Sequence, residues 1–390
     1  MKLRRLSKLV GMGILSATLL ASSAFAANTI PGGPSTNGNV SYESMLTYDE
    51  MIKKLEDIQK TSKVQLEVFT LADILGEDKG KSESDRDLYV AKMGEEGAGK
   101  KKIWVQAQIH GNEKLGTEAV FEVMKNLSTD KNNKQIQTIL ENSVIYFIPM
   151  YNPDGAEANT RGTNILGTSS TNFDLNRDWT ENGFKAKESR AFYTFWAQVK
   201  PDFMIDIHHQ GLKTVPGTNE STSMSLGISL APNGPTMTTS GLVTGEFENM
   251  SYRDATRAVQ GYVYNNIIKY GYTHIDRYTT GNRGQNEIDI RGGVASAVML
   301  GLNWNGLNPE GHSHPAIFFE TKGNTNSNSI GQKANGHLTK QNTLGLQAAL
   351  YGIASGDALK EEYVNVWENT IPIGKIEFYQ TDYDGMVPKE

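Results

Sequence analysis

The 390-residue chain contains no cysteine. No disulfide can therefore stabilise its fold, no thiolate can ligate a metal, and attachment of a lipid through an N-terminal cysteine is excluded. Stability must come from a packed core, which a hydrophobic content of 38% in a chain of this length can supply, and from any metal that binds the folded state.

Long apolar runs are also missing, apart from one near the N-terminus. Four basic residues within the first eight precede an apolar stretch at 9–21, and the small-x-small pattern AFA follows at 24–26. The stretch is too short to span a bilayer comfortably, and no stop-transfer segment follows it. We interpret residues 1–26 as a signal peptide cleaved near Ala26, in preference to an uncleaved anchor. The mature protein is then expected to be secreted, extracellular or periplasmic, without stable membrane insertion.

Positive charge is scarce. The chain has 38 Lys and Arg against 44 Asp and Glu, a formal charge of −6, and loss of the four basic residues of the predicted signal peptide makes it −10. A surface of that sign argues against nucleic acid or anionic lipid as a partner.

The remaining sequence alternates between strand-like and helix-like segments. Thr47 and Glu50 form a capping box before an apolar stripe with helical spacing, which predicts a helix there. Strands are predicted at Val64–Thr70, Asp87–Met93, Ile103–Ile109, Val144–Pro149 and Phe203–Ile207. Helices are predicted at Thr117–Leu127, Lys187–Val199, Asp254–Lys269 and Leu338–Ala354. This alternation indicates an α/β sheet with helices on both faces.

The domain organisation follows from composition. Residues 27–40 are rich in Gly, Pro, Ser, Thr and Asn, which is typical of a flexible leader. We expect one catalytic domain at 41–355, followed by an extension at 356–390 that forms an edge strand or a small appendage. The segments Lys213–Thr244 and Gly323–Asn335 are long and polar, and we expect them to be functional or lid-forming loops.

Three residues in two strand-end motifs suggest a metal site. His110 and Glu113 follow the apolar run IWVQAQI in a glycine-containing turn, so both can reach one cation. Catalytic zinc typically has three protein ligands and one open position. The third ligand can be His208 or His209, which directly follow the apolar run FMIDI. Adjacent residues of an extended chain point to opposite sides, so only one should bind. A chance occurrence is the competing interpretation of His-x-x-Glu alone.

Five ordered blocks then carry a resemblance to the zinc metallocarboxypeptidase family, of the carboxypeptidase A and B type. They are HGNE at 110–113, NPDG at 152–155, DLNRDW at 174–179, DIH at 206–208 and FFET at 318–321. The similarity runs from about Tyr42 to Tyr351, and suggests a secreted, bacterial-like member. It implies a mixed, eight-stranded sheet flanked by helices, one zinc ion per chain and hydrolysis at the C-termini of peptides or proteins.

The resemblance also implies the roles of individual residues. His110, Glu113 and His208 correspond to the metal ligands, which favours His208 over His209. Glu320 corresponds to the general base. A carboxylate beside zinc can accept a proton from water, whose pKa zinc lowers to about 7, and deliver it to the leaving amine.

Four further positions match residues that handle the substrate or support the metal. Asn176 and Arg177 correspond to the pair that grips the terminal carboxylate, for which a planar guanidinium is well suited. Arg161 is similar to the arginine that polarises the scissile carbonyl and can stabilise an oxyanion. Asp174 matches the aspartate that accepts a hydrogen bond from the first zinc histidine, here His110.

The match is incomplete before the catalytic block. In the family a tyrosine on a mobile loop precedes the catalytic glutamate by roughly twenty residues, but GGVASAVMLGLNWNG contains none and the nearest upstream is Tyr278. Closure of the site over the substrate is therefore expected to differ from that in the family. The histidines of HSHP at 312–315 could add metal-binding groups, although loop chemistry is the favoured interpretation.

The sequence thus favours a metallocarboxypeptidase that cleaves the C-terminal peptide bond. The alternative is a zinc amidase acting on cell-wall peptides or another acylated amine, which predicted secretion and the missing tyrosine support. A non-catalytic peptide-binding relative is the third interpretation, and the complete ligand set together with Glu320 argues against it.

Overall fold

The computed structural model describes residues 46–390, apart from 131, 212, 236–241, 324–330 and 383–384, and gives only the backbone of 331–335. The predicted signal peptide at 1–26 and the predicted leader at 27–40 lie outside the described residues. The same holds for positions 324–330 of the predicted loop Gly323–Asn335.

The described chain contains these β-strands in order: β1 (Leu66–Thr70), β2 (Tyr89–Met93), β3 (Lys101–Ala107), β4 (Ser143–Ile148), β5 (Phe203–Gln210), β6 (Met224–Ile228), β7 (Glu246–Phe247), β8 (Met250–Ser251), β9 (Ile275–Arg277), β10 (Asn286–Ile288), β11 (Ala316–Lys322), β12 (Phe378–Thr381) and β13 (Gly385–Pro388). Eight of them form one sheet in the order β1-β2-β4-β3-β5-β11-β6-β9. Parallel pairs at its centre and antiparallel pairs on either side make it mixed, as predicted.

The helices in chain order are α1 (Tyr48–Thr61), α2 (Leu71–Leu75), α3 (Leu115–Thr129), α4 (Lys134–Asn142), α5 (Pro153–Ala158), α6 (Lys187–Val199), α7 (Tyr252–Ile267), α8 (Val294–Leu300), α9 (Gly331–Ser355) and α10 (Glu361–Asn369). Helix α3 packs on β3 and β5, while α7 packs on β6 and β11. The central strands are buried along nearly their whole length, as expected for parallel strands covered by helices. The α/β prediction is confirmed.

Local signals placed several helices correctly. The Thr47 side chain accepts the Glu50 N–H, and the Glu50 carboxylate accepts the Thr47 N–H, so the predicted capping box begins α1. Helix α6 has the predicted bounds, and α7 begins two residues earlier than predicted because Ser251 caps it. The capping side chain, rather than the apolar stripe, sets where the helix begins.

The prediction of a loop over Lys213–Thr244 is wrong in its middle, where β6 lies. This strand pairs antiparallel with β11, and Gly227 faces Phe318 across the pair. A Cβ on Gly227 would lie 2.0 Å from Phe318 Cε2, so the glycine makes room for the ring. Small residues that are typical of loops are here required by a large partner on the neighbouring strand.

The segment after α9 builds a small second sheet. β12 pairs parallel with β10 and antiparallel with β13. Backbone hydrogen bonds join Asp289 N to Gln380 O and Asp382 N to Ile290 O. Residues 378–382 therefore hold in place the chain between β10 and α8. No helix within the described ranges has the length and apolar content needed to cross a bilayer.

Candidate active site

A strained turn after β3 positions His110 and Glu113. Gln108 is a buried non-glycine residue with φ of +56°, and its amide nitrogen donates to Gly111 O at 2.6 Å. Gly111 lies so close to α5 that a Cβ there would be 2.1 Å from the Gly155 carbonyl carbon. The chain therefore reverses tightly, as a glycine permits, and directs His110 and Glu113 to one point.

His208 and Glu320 reach the same edge from neighbouring strands. His208 lies within β5, which continues to Gln210, and Glu320 is its Cα partner on β11. The two strands are parallel, so paired residues present their side chains on the same face of the sheet. The catalytic-glutamate candidate is therefore placed beside the histidine by strand register.

His110, Glu113 and His208 converge. Their ligand atoms all lie within 4.8 Å of one another, and each residue is 4% exposed or less. His110 Nδ1 lies 3.0 Å from Glu113 Oε1 and 3.2 Å from His208 Nδ1, and His208 Nδ1 lies 3.3 Å from Glu113 Oε2. The structure thus brings the three predicted ligands together in one buried cluster.

The outer nitrogen of each imidazole meets a carboxylate. His110 Nε2 lies 3.2 Å from Asp174 Oδ1, and His208 Nε2 lies 2.9 Å from Asp206 Oδ2. In a neutral ring each of these partners favours the tautomer with its proton on Nε2, which leaves the lone pair on Nδ1. Both Nδ1 atoms and the carboxylate of Glu113 are then directed at one point. Such a set fits a divalent cation, and two imidazoles with one carboxylate are a donor set that zinc uses.

His209 lies on the other side of β5. Its Nε2 accepts the Leu115 N–H at 3.0 Å, and burial lowers its pKa to about 4. The ring is therefore neutral, and its Nε2 caps the N-terminus of α3. Its backbone N–H donates to Glu113 Oε2 at 2.9 Å, so His209 supports the metal site through its main chain.

Glu320 has a perturbed environment that suits proton transfer. Burial is the largest influence and, with the negative charge of Glu113, raises its pKa to about 8, although His208 opposes the shift. A bound cation would lower that pKa again, because it favours the charged carboxylate. No hydrogen bond from a described residue to the Glu320 carboxylate is present, which leaves it available to a substrate or water.

Arg161 borders the cluster from the solvent side. Its Nε and one terminal nitrogen lie 3.1 Å from Asp174 Oδ2, and its other terminal nitrogen lies 3.4 Å from Glu113 Oε1. The Arg161 side chain remains 41% exposed. Arg161 is thus adjacent to the candidate metal ligands and is exposed enough to contact a substrate.

A pocket beside the metal cluster contains the other predicted substrate-binding residues. Asn176 and Arg177 lie on a short 3₁₀ turn, Leu175–Arg177, that Asp174 caps. The side-chain oxygen of Asn176 accepts the Val294 N–H at 2.8 Å, which ties the turn to α8. The pocket is lined, among others, by Asn176, Arg177, His208, Tyr278, Arg291, Phe318 and Glu320.

Three residues of this region were not assigned a role from the sequence. Asp206 precedes His208 by two positions, so the period-two pattern of a strand could have identified it. Tyr278, the residue that follows β9, packs edge-on against Phe318, and the negative charge of Glu320 is the main cause that raises its pKa. Arg291 lines the pocket from the chain between β10 and α8, and no sequence pattern marks it.

The additional histidines of HSHP do not line this pocket. His314 is buried, accepts the Trp196 indole N–H at 2.7 Å, and has its pKa lowered to about 3 by burial. His312 lies beside the Pro201 carbonyl, at 2.8 Å. Both rings contact the Trp196 ring at a tilt, so they are part of the packing around α6.

Comparison with known proteins bears on this site. The profile of the zinc carboxypeptidase family, Peptidase_M14, matches residues 76–273, just over half of the chain. That range contains the three candidate ligands together with Arg161, Asn176 and Arg177.

Individual relatives agree with the family match. The chain is 30% identical over 109 residues to carboxypeptidase 2 of Trichophyton tonsurans and 33% identical over 113 residues to carboxypeptidase D of Homo sapiens. These alignments cover 28% and 26% of this chain but only 18% and 8% of the relatives' own lengths. The crystal structure of carboxypeptidase A from Helicoverpa armigera is similar in fold, with a TM-score of 0.52 and 16% identity over 85% of this chain and 79% of that one.

Proposed function

Because the chain belongs to the zinc carboxypeptidase family, we propose that it is a secreted exopeptidase that hydrolyses the C-terminal peptide bond of peptides or proteins. The observation that supports this most directly is that His208 of the His110–Glu113–His208 cluster lines one pocket with the carboxylate of Glu320 and the guanidinium of Arg177. The proposed catalytic groups therefore lie next to the guanidinium that would bind the terminal carboxylate.

His110, Glu113 and His208 would hold one zinc ion, which when bound polarises a carbonyl oxygen and makes water more acidic. Asp174 and Asp206 keep the two imidazoles in the tautomer that presents Nδ1 to the cation. Both carboxylates also raise the basicity of the rings they contact, which strengthens metal binding.

Glu320 accepts the proton of the attacking water and then delivers it to the leaving amine. Its carboxylate is available for this because no described donor holds it, and its position beside His208 brings it to the reacting carbonyl. Arg161 faces the same carbonyl from the solvent side and stabilises the negative charge that develops on its oxygen.

Arg177 and Asn176 grip the terminal carboxylate of the substrate. Arg177 offers a planar pair of donors, and Asn176 holds the 3₁₀ turn against α8 through the Val294 N–H. This pair distinguishes an exopeptidase from an enzyme that cuts within a chain or acts on other acylated amines.

The exopeptidase proposal is tested by comparing a peptide with a free C-terminus and the same peptide amidated. A guanidinium deprived of its partner carboxylate costs about 2–5 kcal/mol, so amidation should reduce kcat/KM by at least tens of fold. Arg177→Ala should erase this difference while keeping zinc bound, and should lower cleavage of the free acid more than that of the amide. Arg190→Ala, which removes an exposed arginine from α6, is the matched control and should behave as the wild type.

Equal rates for the two peptides with the wild-type enzyme would contradict the exopeptidase proposal. Cleavage of muropeptides or other acylated amines under the same conditions would then favour a zinc amidase, with the roles of the metal ligands and Glu320 unchanged. Export through residues 1–26 is part of the proposal and is supported by the basic, apolar and small-residue pattern of that segment.

A further inference from the structure

The pocket beside the metal cluster is lined by a second guanidinium. Arg291 lines it together with Arg177, on the wall that Gly292, Gly293, Ala295 and Ser296 continue. The two arginines influence each other, because the positive charge of Arg291 adds to burial in lowering the pKa of Arg177. One terminal carboxylate needs only one guanidinium partner, so a second guanidinium in this pocket remains for another anionic group.

Within the described ranges, no carboxylate lies within ion-pair distance of either guanidinium group. Among the described residues, Arg177 donates to the Asn176 carbonyl at 2.6 Å, and no ion pair of 4.0 Å or less is present for either arginine. Asp382 lies beside Gly292, and its carboxylate accepts the backbone N–H of that residue. Asp206 is held by His208 on the metal side. The charge of Arg291 is therefore available to a ligand.

The backbone before Arg291 is held in an uncommon conformation. Ile290 has φ of +49°, which is rare for a β-branched residue, and it is 1% exposed. Its N–H donates to Ser229 O at 2.7 Å, and its carbonyl accepts the Asp382 N–H at 3.3 Å. Strain of this kind persists where the surroundings fix it, and it concentrates at binding sites. Here it fixes the point from which the Arg291 side chain leaves the main chain.

The wall around Arg291 is otherwise neutral and is formed by Ser229, Ile288, Ala295 and Ser296. The two carboxylates that line the pocket lie on its His208 side: Asp206 contacts His208 Nε2, and Glu320 is the Cα partner of His208. The cavity volume is about 70 Å³, which suits a short side chain better than an aromatic ring. An anion on a short side chain would meet Arg291 while the terminal carboxylate meets Arg177.

We propose that Arg291 makes this enzyme selective for peptides whose C-terminal residue is aspartate or glutamate. The inference rests on the proposed exopeptidase function and names its substrate class. Arg177 binds the terminal carboxylate, and Arg291 binds the side-chain carboxylate of the same residue. Charge-assisted hydrogen bonds of this kind favour the charged group over its neutral isostere by about tenfold to a hundredfold.

The test uses one acylated dipeptide series with glutamate, glutamine or lysine at the C-terminus, all as free acids. The wild-type enzyme should cleave the glutamate substrate at least about tenfold more efficiently than the isosteric glutamine substrate. Arg291→Gln should bring the ratio of the two kcat/KM values to about one, and Arg291→Glu should favour the lysine substrate. Arg283→Gln is the matched control, because this exposed arginine does not line the pocket and its loss leaves the ratio unchanged.

Binding gives a second readout that does not depend on turnover. Calorimetry with the Glu320→Gln variant should show tighter binding of the glutamate peptide than of the glutamine peptide, and Arg291→Gln in that background should abolish the difference. Equal affinities would overturn the inference even where no peptide is cleaved. Arg291→Gln losing efficiency equally on both peptides would also overturn it, since Arg291 would then serve the terminal carboxylate. A wild-type ratio of glutamate to glutamine kcat/KM near one would overturn this inference. If free acids were still preferred over amides, the exopeptidase proposal would be unaffected.

Discussion

At the scale of single residues, Glu320 is the group on which the proposed chemistry depends. Glu320→Gln keeps the side-chain volume but removes the ability to accept a proton. We expect the variant to fold and to bind zinc normally, because Glu320 makes no described hydrogen bond, while kcat falls by about 10²–10⁴-fold or more. Steady-state kinetics with metal analysis of the same preparation checks this.

The control for that variant is Glu141→Gln, which changes an exposed glutamate of α4 and should leave kcat unaffected. Near-normal turnover of Glu320→Gln would mean that another carboxylate accepts the proton. Loss of zinc together with activity would instead mean that Glu320 acts on the metal site rather than on water.

The residues of the candidate site differ in how far the sequence predicts them. His110, Glu113 and His208 lie just after apolar runs that predict strands, so the sequence placed them at one edge of the sheet, and the family resemblance favoured His208 over His209. Asp206 is also predictable, because two residues along a strand share a face, yet its role depends on which nitrogen of His208 faces the metal. Arg291 could not be predicted, because its position depends on the strained Ile290 and on hydrogen bonds to β12 and the residues around it.

At the scale of elements, the pairing of β6 with β11 links the core to the substrate pocket. Gly227 leaves room for Phe318, which lines the pocket and packs against Tyr278. Gly227→Ala would place a Cβ 2.0 Å from the Phe318 ring, so the ring must shift toward the pocket. We expect a loss of about 1–3 kcal/mol in the free energy of unfolding and a raised KM, with kcat affected less.

Denaturant unfolding and kinetics on the same peptide check this prediction. Gly345→Ala is the matched control, because its Cβ would lie 3.5 Å from the neighbouring Phe319 ring, an ordinary contact, and alanine favours the helix α9. Wild-type stability and KM in Gly227→Ala would show that the Phe318 ring does not depend on this glycine.

The same pair explains why the fold was only partly predictable. Helices α1 and α6 were placed by capping and apolar periodicity, which are local in sequence. Strand β6 was missed because MSLGI contains small residues whose preference for a strand depends on Phe318, almost a hundred residues away. Strand propensity of this kind is set by the neighbouring strand and is not visible in the segment itself.

At the scale of the whole molecule, the chain has no cysteine, and its buried His110–Glu113–His208 cluster lies at the edge of the helix-covered sheet. The core of β3, β5 and β11 is apolar, but at its carboxyl edge the Nδ1 atoms of His110 and His208 and the carboxylate of Glu113 converge within 3.3 Å of one another. This cluster is assembled only in the folded state, so a cation that binds it stabilises that state. We therefore expect the metal to contribute to global stability as well as to catalysis.

Removal of zinc should accordingly lower the melting temperature. A ligand that binds only the folded state stabilises it by about 2.7 kcal/mol at a hundred times its Kd, which corresponds to a fall in Tm of roughly 5 °C after chelation. Calorimetry with and without chelator, followed by addition of zinc, measures the shift.

His208→Ala should show no zinc-dependent shift, because a ligand is lost. His209→Ala should melt lower than wild type, since Leu115 N–H loses its acceptor, yet keep the full shift on adding zinc. The opposite behaviour of the two variants would place the metal on the other face of β5 and contradict the site geometry.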